Sequence, residues 1–328
     1  MAARPSSFPV YLVDASIYIF QSHFSPYVEC YDRAGNDLSA VYGFTQFLLQ
    51  FLRRAQPRHV AIAHDESLFC GFRHALCPNY KSNRELPDEN LAMQLQASKE
   101  ICSILGMMAY GSKVYEADDI IGVLARSVRA ELGSDQVAIH LISKDKDLAQ
   151  LLEHEQDCLW EFSANHKRFI VDIENDFGVS PAQIADFLAL AGDSVDCISG
   201  VPGIGPVATR ELLSRYGSLE GIYQHLSEIP ALPIRGARRL ASLLEEHRAR
   251  AELSRQLATI VCEVDTPGEA FSGITFEDLG AAMPDLDELR GFLVEYQFPS
   301  EESERLIAQT RRIIESRVSM ENRESTAG

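Results

Sequence analysis

Three carboxylates, Glu116, Asp118 and Asp119, crowd into the stretch from Val114 to Ile121, and Asp14, Asp65, Asp145, Asp147, Asp193 and Asp196 stand at comparable places along the chain. If such groups converge, each like-charge pair at 4 Å costs about 4 kcal/mol at an effective dielectric near 20. Several pairs would exceed the ~5–15 kcal/mol stability of a domain. Hard divalent cations relieve the repulsion, and Mg²⁺ or Mn²⁺ suits a site of carboxylates and waters. Two such ions ~3.5–4 Å apart can activate water and stabilise a leaving oxygen in phosphodiester hydrolysis. No His or Cys cluster shares the placement, which argues against zinc. Each acid also has an ordinary reading alone. Acids suit the first turn of a helix; Asp14 can be a helix cap, Asp65 a loop acid, and Asp145 and Asp147, between Lys144 and Lys146, a solvated charge cluster. Asp193 can cap a turn with Asp196 beside it. The metal reading rests on joint placement. Glu116 and Asp119 share a helix face and Asp118 is turned ~100° from Asp119. At least one of the three is therefore expected on a metal directly, and another through water or the second ion.

The elements that must position these acids alternate. Val10–Val13 is an apolar run ending at Asp14, His59–Ala63 ends near Asp65, and Val137–Ile142 runs into Asp145. These are expected to be buried parallel strands. Between them the spacing predicts helices over 15–20, 41–54, 91–105 and from the Val114 stretch to Leu132, where Ile120, Leu124 and Val128 recur four apart. A helical turn over 148–152 follows. Alternating strand and helix implies a parallel sheet with right-handed crossovers, and such sheets bind ligands beyond the carboxyl ends of their strands. The acids point to that one edge. Segment 69–90 has no clean period.

After about Asp172 strand signals fade. Ser180-Pro181-Ala182-Gln183 has a capping-box spelling, and its helix should stop at Gly192. Helices are expected over 206–216, 219–226, 237–257 and 301–318, with 319–328 frayed. Between them Gly200-Val201-Pro202-Gly203-Ile204-Gly205 forms a tight loop leading into a helix N-terminus. Glycines permit close backbone approach, and a helix N-terminus binds anions, the helix-hairpin-helix way of gripping a nucleic-acid backbone without reading sequence. An ordinary helical hairpin turn is the alternative. A third feature is the basic and aromatic set Phe72, Arg73, Tyr80, Lys81 and Arg84. Its cations can hold phosphates, and Tyr80 offers a stacking face for an unpaired base. A second basic run includes Arg235, Arg238, Arg239, Arg248, Arg250 and Arg255. Either basic group could also be a solvated surface.

Composition narrows the class. The 328 residues suffice for two domains, and 46% hydrophobic content supports a sizeable core. No apolar run approaches the ~20 residues of a spanning helix, and the first nine residues lack the long apolar region of a secretory signal. Seven cysteines, odd in number and without a C-x-x-C pair, suggest reduced thiols and a cytoplasmic protein. The net charge of −18 argues at first against a nucleic-acid partner. Half of that excess lies in the acidic cluster, where divalent ions would offset it, and local basic surfaces could still bind DNA in a salt-sensitive way.

In order along the chain, Leu12-Val13-Asp14, Ala40-Val41-Tyr42-Gly43-Phe44, Phe72-Arg73, Tyr80-Lys81-Ser82-Asn83-Arg84, Tyr115-Glu116-Ala117-Asp118-Asp119, Asp145-Lys146-Asp147-Leu148, Gly192-Asp193-Ser194-Val195-Asp196 and the Gly200–Gly205 loop resemble the motifs of the 5′-nuclease (flap endonuclease) superfamily. The resemblance covers about residues 10–298 and is strongest to the bacterial form found at the N-terminus of DNA polymerase I and as stand-alone 5′–3′ exonucleases. It implies an α/β fold, a PIN-like parallel-sheet nuclease domain followed by a helical helix-3-turn-helix (helix-hairpin-helix) region. The corresponding divisions are 1–172, 173–298, and a C-terminal helix and tail over 299–328. It implies two divalent ions, with Asp14, Asp65, Glu116, Asp118 and Asp119 as inner ligands and Asp145, Asp147, Asp193 and Asp196 completing the site. It places Lys81 and Arg84 at the scissile region, Tyr80 near the unpaired 5′ nucleotide, and the carbonyls of Val201 and Ile204 on a potassium ion. Gly200, Gly203 and Gly205 would line the DNA contact, as would Arg73. Gln21, His64, Lys144, Cys197 and Ser199 depart from the family pattern, and none removes a carboxylate. No polymerase or proofreading region follows in this sequence, so a stand-alone nuclease is expected.

The expected function is Mg²⁺- or Mn²⁺-dependent hydrolysis of DNA at 5′ ends or 5′ flaps, by a monomer without a small-molecule cofactor or a membrane partner. A PIN-type ribonuclease would share the acidic α/β site but not need the helical clamp. A non-catalytic branched-DNA binder would not need the acids.

Overall fold

The computed structural model describes residues 7–264, 266 and 268–327. The apolar runs become the middle of a six-stranded sheet: β1 (Phe8–Asp14), β2 (His59–Asp65), β3 (Met108–Ser112), β4 (Val137–Ile142), β5 (Cys158–Glu161) and β6 (His166–Arg168). Their spatial order is β3-β2-β1-β4-β5-β6, parallel except for the β5–β6 pair. After β1 the chain builds outward through β2 and β3, then returns to place β4 on the other side of β1. The reversal opens a crevice at the carboxyl ends of β1 and β4, where doubly wound sheets bind ligands.

Helices α1 (Ala15–His23), α2 (Ser39–Ala55), α3 (Phe72–Leu76), α4 (Glu89–Ile104) and α5 (Ala117–Leu132) fill the crossovers. On one side of the sheet, α2 and α4 bury Phe44, Phe51, Leu48 and Ile101; on the other, α5 buries Ile120, Leu124 and Val128, the predicted stripe. The first turn of α2 has no side-chain cap of its own, because Leu38 precedes it. Fully buried Gln94 from α4 accepts the N–H groups of Ala40 and Val41 instead, at 2.9 and 3.2 Å.

Beyond the sheet the chain is helical: α6 (Ile170–Phe177), α7 (Ile184–Ala191), α8 (Pro206–Tyr216), α9 (Leu219–Gln224), α10 (Ala237–Glu246), α11 (Arg248–Ala258), α12 (Leu286–Glu295) and α13 (Ser300–Ala327). Leu188, Leu212 and Leu244 of the helical part share the core on the α5 side, whereas Phe292, Leu306 and Ile313 return to the α2 side. The predicted helix over 237–257 is two helices, broken at His247, whose backbone leaves helical geometry. The turn over 148–152 is a 3₁₀ segment, Lys146–Leu151. The 319–328 end is helical through Ala327 rather than frayed, because α13 continues without interruption; Gly328 lies outside the described residues. No helix among the described residues is long and apolar enough to cross a membrane.

One buried ion pair fastens β4 to the turn before β5. Asp157 is fully buried and accepts from the N–H groups of Ile139, Glu153 and His154 at 2.8–2.9 Å, while Arg129 of α5 reaches it at 2.7 Å. Removing one partner strands a buried charge. Asp157→Ala is expected to lower the unfolding free energy by about 3–5 kcal/mol in urea titration; a loss below ~1 kcal/mol would show that the pair does not carry this corner.

Candidate active site

A repeated local pattern sets the acids at the sheet edge. Asp14 closes β1 and accepts the Ser16 N–H at 3.1 Å and the Ser143 hydroxyl at 2.9 Å. Asp65 closes β2 and accepts the N–H and hydroxyl of Ser67 at 3.2 and 2.8 Å. Ser143, just past β4, also accepts the Asp145 N–H at 3.0 Å, and Asp145 accepts the Asp147 N–H at 2.8 Å. The spellings Asp14-x-Ser16, Asp65-x-Ser67 and Ser143-x-Asp145 are turn chemistry in which a short polar side chain satisfies backbone two residues away. Ser16, Ser67 and Ser143 were not singled out from sequence, although this spacing was legible.

Burial first, then Asp145 and, more weakly, Asp65, pushes the Asp14 carboxyl up to about 7 against the help of Ser143. Asp118 is raised well above the usual carboxylate range by burial and by Asp145 and Asp14. Asp147 is pushed up to about 7 by burial and Asp145, and its Oδ1 is a buried oxygen without a hydrogen-bond partner, 3.7 Å from the Lys146 ammonium. These carboxylates lack enough positive charge.

A second set is neutralised from within. Glu116 precedes the first turn of α5 and is nearly buried; its Oε1 takes Lys81 Nζ at 2.8 Å and its Oε2 takes the Tyr80 hydroxyl at 2.9 Å. Burial works against its charge, but Lys81 and Arg73 outweigh burial and hold its carboxyl below the usual range. Burial likewise disfavours the Lys81 ammonium, yet Glu116, Tyr80 and Asp196 raise it well above an ordinary lysine. Asp196 lies 3.7 Å from Lys81 and 3.2 Å from Arg84, yet burial outweighs both and holds its carboxyl above the usual range, and Asp193 receives Lys146 at 2.8 Å. Asp193 and Ile198 pair their backbones across a short turn in which Cys197 holds φ +57°, the left-handed conformation that asparagine adopts more readily.

Several of the expected site residues lie away from the open edge. Asp119 is fully buried and bonded to Arg73 at 2.6 and 2.8 Å, so its oxygens do not face an open metal position. Arg73 is 3% exposed and not a surface DNA contact, because Asp119 and Glu116 compensate its charge inside. Tyr80 is 2% exposed, so it offers no stacking face; its ring is buried to bring its hydroxyl to Glu116. In the hairpin loop, Gly200 has φ +59° and a Cβ there would lie 2.4 Å from the Gly192 nitrogen, so it serves backbone packing rather than DNA contact. Val201 and Ile204 bury their side chains, and the outward backbone belongs to Gly203 and Gly205, with Arg239 beside Gly203. Lys144 turns toward Glu161 at 3.6 Å, and His64 is buried against Cys102 at 3.7 Å, with burial, then Lys99, pushing it down to about 3.

Among the described residues no three of these side chains stand as a ready cage around one point. The donor set is nonetheless all oxygen, carries an orphaned carboxylate oxygen and excess negative charge, and reaches a cavity of about 710 Å³ through Asp65 and Glu116. That fits a hard cation whose shell is completed by water. Asp65, Glu116, Lys81 and Arg84 line one part of the cavity, and Phe20, Phe24, Phe69 and Leu86 another.

Comparison with known proteins agrees with this architecture. Residues 9–176 match the model for the 5'-3' exonuclease N-terminal resolvase-like domain, and 179–279 that for the 5'-3' exonuclease C-terminal SAM fold. A 5'-3' exonuclease of Buchnera aphidicola is 33% identical over 256 residues, covering 78% of this chain and 87% of the relative. DNA polymerase I of Pseudomonas aeruginosa is 37% identical over 262 residues, covering 79% of this chain but only 28% of the polymerase. Among solved structures, T5 5'-exonuclease with bound divalent metal ions (zinc) shares the fold at 17% identity and TM-score 0.59, covering 93% of this chain and 99% of the other. The catalytic core of Rad2 in complex with DNA substrate does so at 16% identity and TM-score 0.57, covering 93% of each chain.

The raised carboxyls set a pH test. The unfolded chain releases its aspartate protons near pH ~4, whereas folded Asp14 and Asp147 hold theirs to about 7. In the metal-free protein this contribution to stability therefore falls as pH rises from about 4 to about 7. Mg²⁺ must displace the same protons, so its thermal stabilisation should be small at pH 5.5 and grow through pH 8 in melting scans with and without the ion. An equal shift at both pH values would contradict this.

Proposed function

The chain belongs to the 5′-3′ exonuclease family, and on that premise we propose that it hydrolyses DNA phosphodiesters at 5′ ends and 5′ flaps with divalent cations, Mg²⁺ or Mn²⁺, held at the acidic edge. The observation that carries the proposal is the group Asp14, Asp118 and Asp147 beside β1 and β4: Asp14 is buried and the other two partly so, and the carboxyl of each is raised by desolvation and by repulsion from Asp145. Asp14, Asp118 and Asp145 would hold one ion, with Asp65 and Glu116 acting through water. Asp147, Asp193 and Asp196 would hold the second. The chemistry such ions supply when bound is polarisation of water and neutralisation of charge on the leaving oxygen.

The chain's own residues do the rest. Lys81 sits between Glu116 and Asp196, and Arg84 stands half-exposed at the mouth. Both can pass from carboxylate to the phosphate flanking the cleaved bond, which offers the same kind of acceptor. Exposed Phe24, Phe69 and Leu86 give the cavity an apolar side against which unpaired bases can lie. The exposed backbone of Gly203 and Gly205 at the start of α8, with Arg239 nearby, suits a duplex phosphate, and the Val201 and Ile204 carbonyls suit a potassium ion there. On this reading the catalytic part spans 1–172 and the duplex-gripping part 173–298, and 299–328 is a C-terminal helix and tail whose Leu306 and Ile313 join the core on the α2 side. Seven free cysteines accord with a reducing cytoplasm.

The test offers 5′-labelled flap DNA, blunt duplex and single-stranded RNA, with Mg²⁺ or EDTA, to the wild type and Asp145→Asn. Flap DNA should be cut only with Mg²⁺, and the variant should be at least ~100-fold slower, the scale of losing one group that stabilises the transition state. Product in EDTA or equal cutting by the variant would refute the metal site. Preference for RNA would favour a ribonuclease, and tight flap binding without cleavage a DNA-binding protein.

A further inference from the structure

Arg73 and Asp119 together use nearly every hydrogen bond they can make, and neither side chain itself lines the cavity. Arg73 Nε–H donates to the Leu257 carbonyl at 2.9 Å, Nη1 to Asp119 Oδ2 at 2.6 Å, and Nη2 to Asp119 Oδ1 at 2.8 Å and the Thr259 carbonyl at 2.7 Å. Nη1 also stands 3.3 Å from Glu116 Oε2. Asp119 accepts two further bonds, from the Glu116 N–H on Oδ2 at 3.0 Å and from the Val261 N–H on Oδ1 at 2.9 Å. An ionised carboxylate has about four lone-pair sites, and all four are taken. Two side chains thus join α3, the start of α5, the end of α11 and segment 259–261. One turn along α5, Gly122 lets that segment lie close, since a Cβ there would come within 2.7 Å of the Val261 carbonyl.

We propose that Arg73 and Asp119 are a positioning pair that aims the Glu116 carboxylate and ties α11 of the helical part to the acidic edge, touching neither cation nor DNA. The inference rests on the nuclease reading above. Asp119 could bind a cation only by giving up Arg73 or a backbone N–H. Arg73 could bind phosphate only by leaving a buried carboxylate and two carbonyls without donors, which is strongly unfavourable. Through the Asp119–Glu116 N–H bond, movement at residues 257–261 is transmitted to the backbone that carries a candidate catalytic acid. The pair therefore links the clamp to the chemistry.

The experiment compares wild type, Arg73→Lys, Asp119→Asn and the double variant Arg73→Met/Asp119→Leu. It measures melting temperature with and without Mg²⁺, flap-DNA affinity in EDTA across salt, steady-state cleavage, and amide exchange at residues 257–261. Arg73→Lys should keep the EDTA affinity and its salt slope within about twofold of wild type while exchange at 257–261 quickens. Its kcat should fall about 10–100-fold, as when the group orienting a metal ligand is lost, with a higher half-saturating Mg²⁺ concentration and little change in KM for DNA. Asp119→Asn should move the same way. The double variant replaces the buried pair by apolar groups, so it should recover melting temperature yet stay slow, because nothing holds the Glu116 N–H.

A salt slope lower by about one in Arg73→Lys would make Arg73 a phosphate contact. Loss of the Mg²⁺-induced melting shift in Asp119→Asn but not in Arg73→Lys would make Asp119 a ligand. Recovery of wild-type kcat by the double variant would reduce the pair to fold stability. Each of these overturns the proposal, as does unchanged exchange at 257–261. A wild type that does not cleave would instead refute the nuclease reading, and the exchange and melting comparisons would still decide the tie.

Discussion

Like charge brought to one edge of a parallel sheet is the constraint under which this molecule is built. Two carboxylates 4 Å apart repel by about 4 kcal/mol at an effective dielectric near 20, and the crevice gathers several. The chain divides them. Glu116, Asp119, Asp193 and Asp196 receive cations of its own from Lys81, Arg73, Lys146 and Arg84. Asp14, Asp118 and Asp147 receive too little, and their carboxyls rise; Asp196 stands between the groups, its carboxyl raised by burial despite Lys81 and Arg84. The division ranks the acids by how much positive charge the chain itself supplies, and those supplied least draw most strongly on charge from outside.

The fold makes that division possible because it joins distant segments to one edge. Reversal of strand order beside β1 sets Ser143 after β4 against Asp14 at the end of β1. The loop before α4 delivers Lys81, and the turn after α7 delivers Asp193 and Asp196. The two apolar cores keep the sheet and helical part from shifting independently, one running from α5 into the helical part and the other from α2 to α13.

The long apolar strands and the α5 stripe were legible because periodicity and burial are local signals there. β3, β5 and β6 were not, since they are three to five residues long, β3 and β5 mixing polar with apolar types and β6 being wholly basic in spelling. The five-residue α3 is too short to show a period. The break at His247 was hidden because helical spacing continues across it and no proline or glycine marks it. The basic-aromatic segment misled for a different reason. Arginine, lysine and tyrosine ordinarily keep their polar ends in water, and the carboxylates of Glu116, Asp119 and Asp196, with the Leu257 and Thr259 carbonyls, make it favourable to bury Arg73, Tyr80 and Lys81.

Residue order was sufficient to place acids at strand ends, to expect a parallel sheet carrying them to one edge, and to expect oxygen-ligated cations there. Those conclusions follow from strand direction, side-chain type and spacing over a few residues. Which acids stay available and which are neutralised within the protein depended on the folded chain. Arg73 meets Asp119 from 46 positions away and Leu257 from 184. Electrostatic pairing is governed by distance through space and by exclusion of water, and a linear spelling specifies neither until the chain has packed.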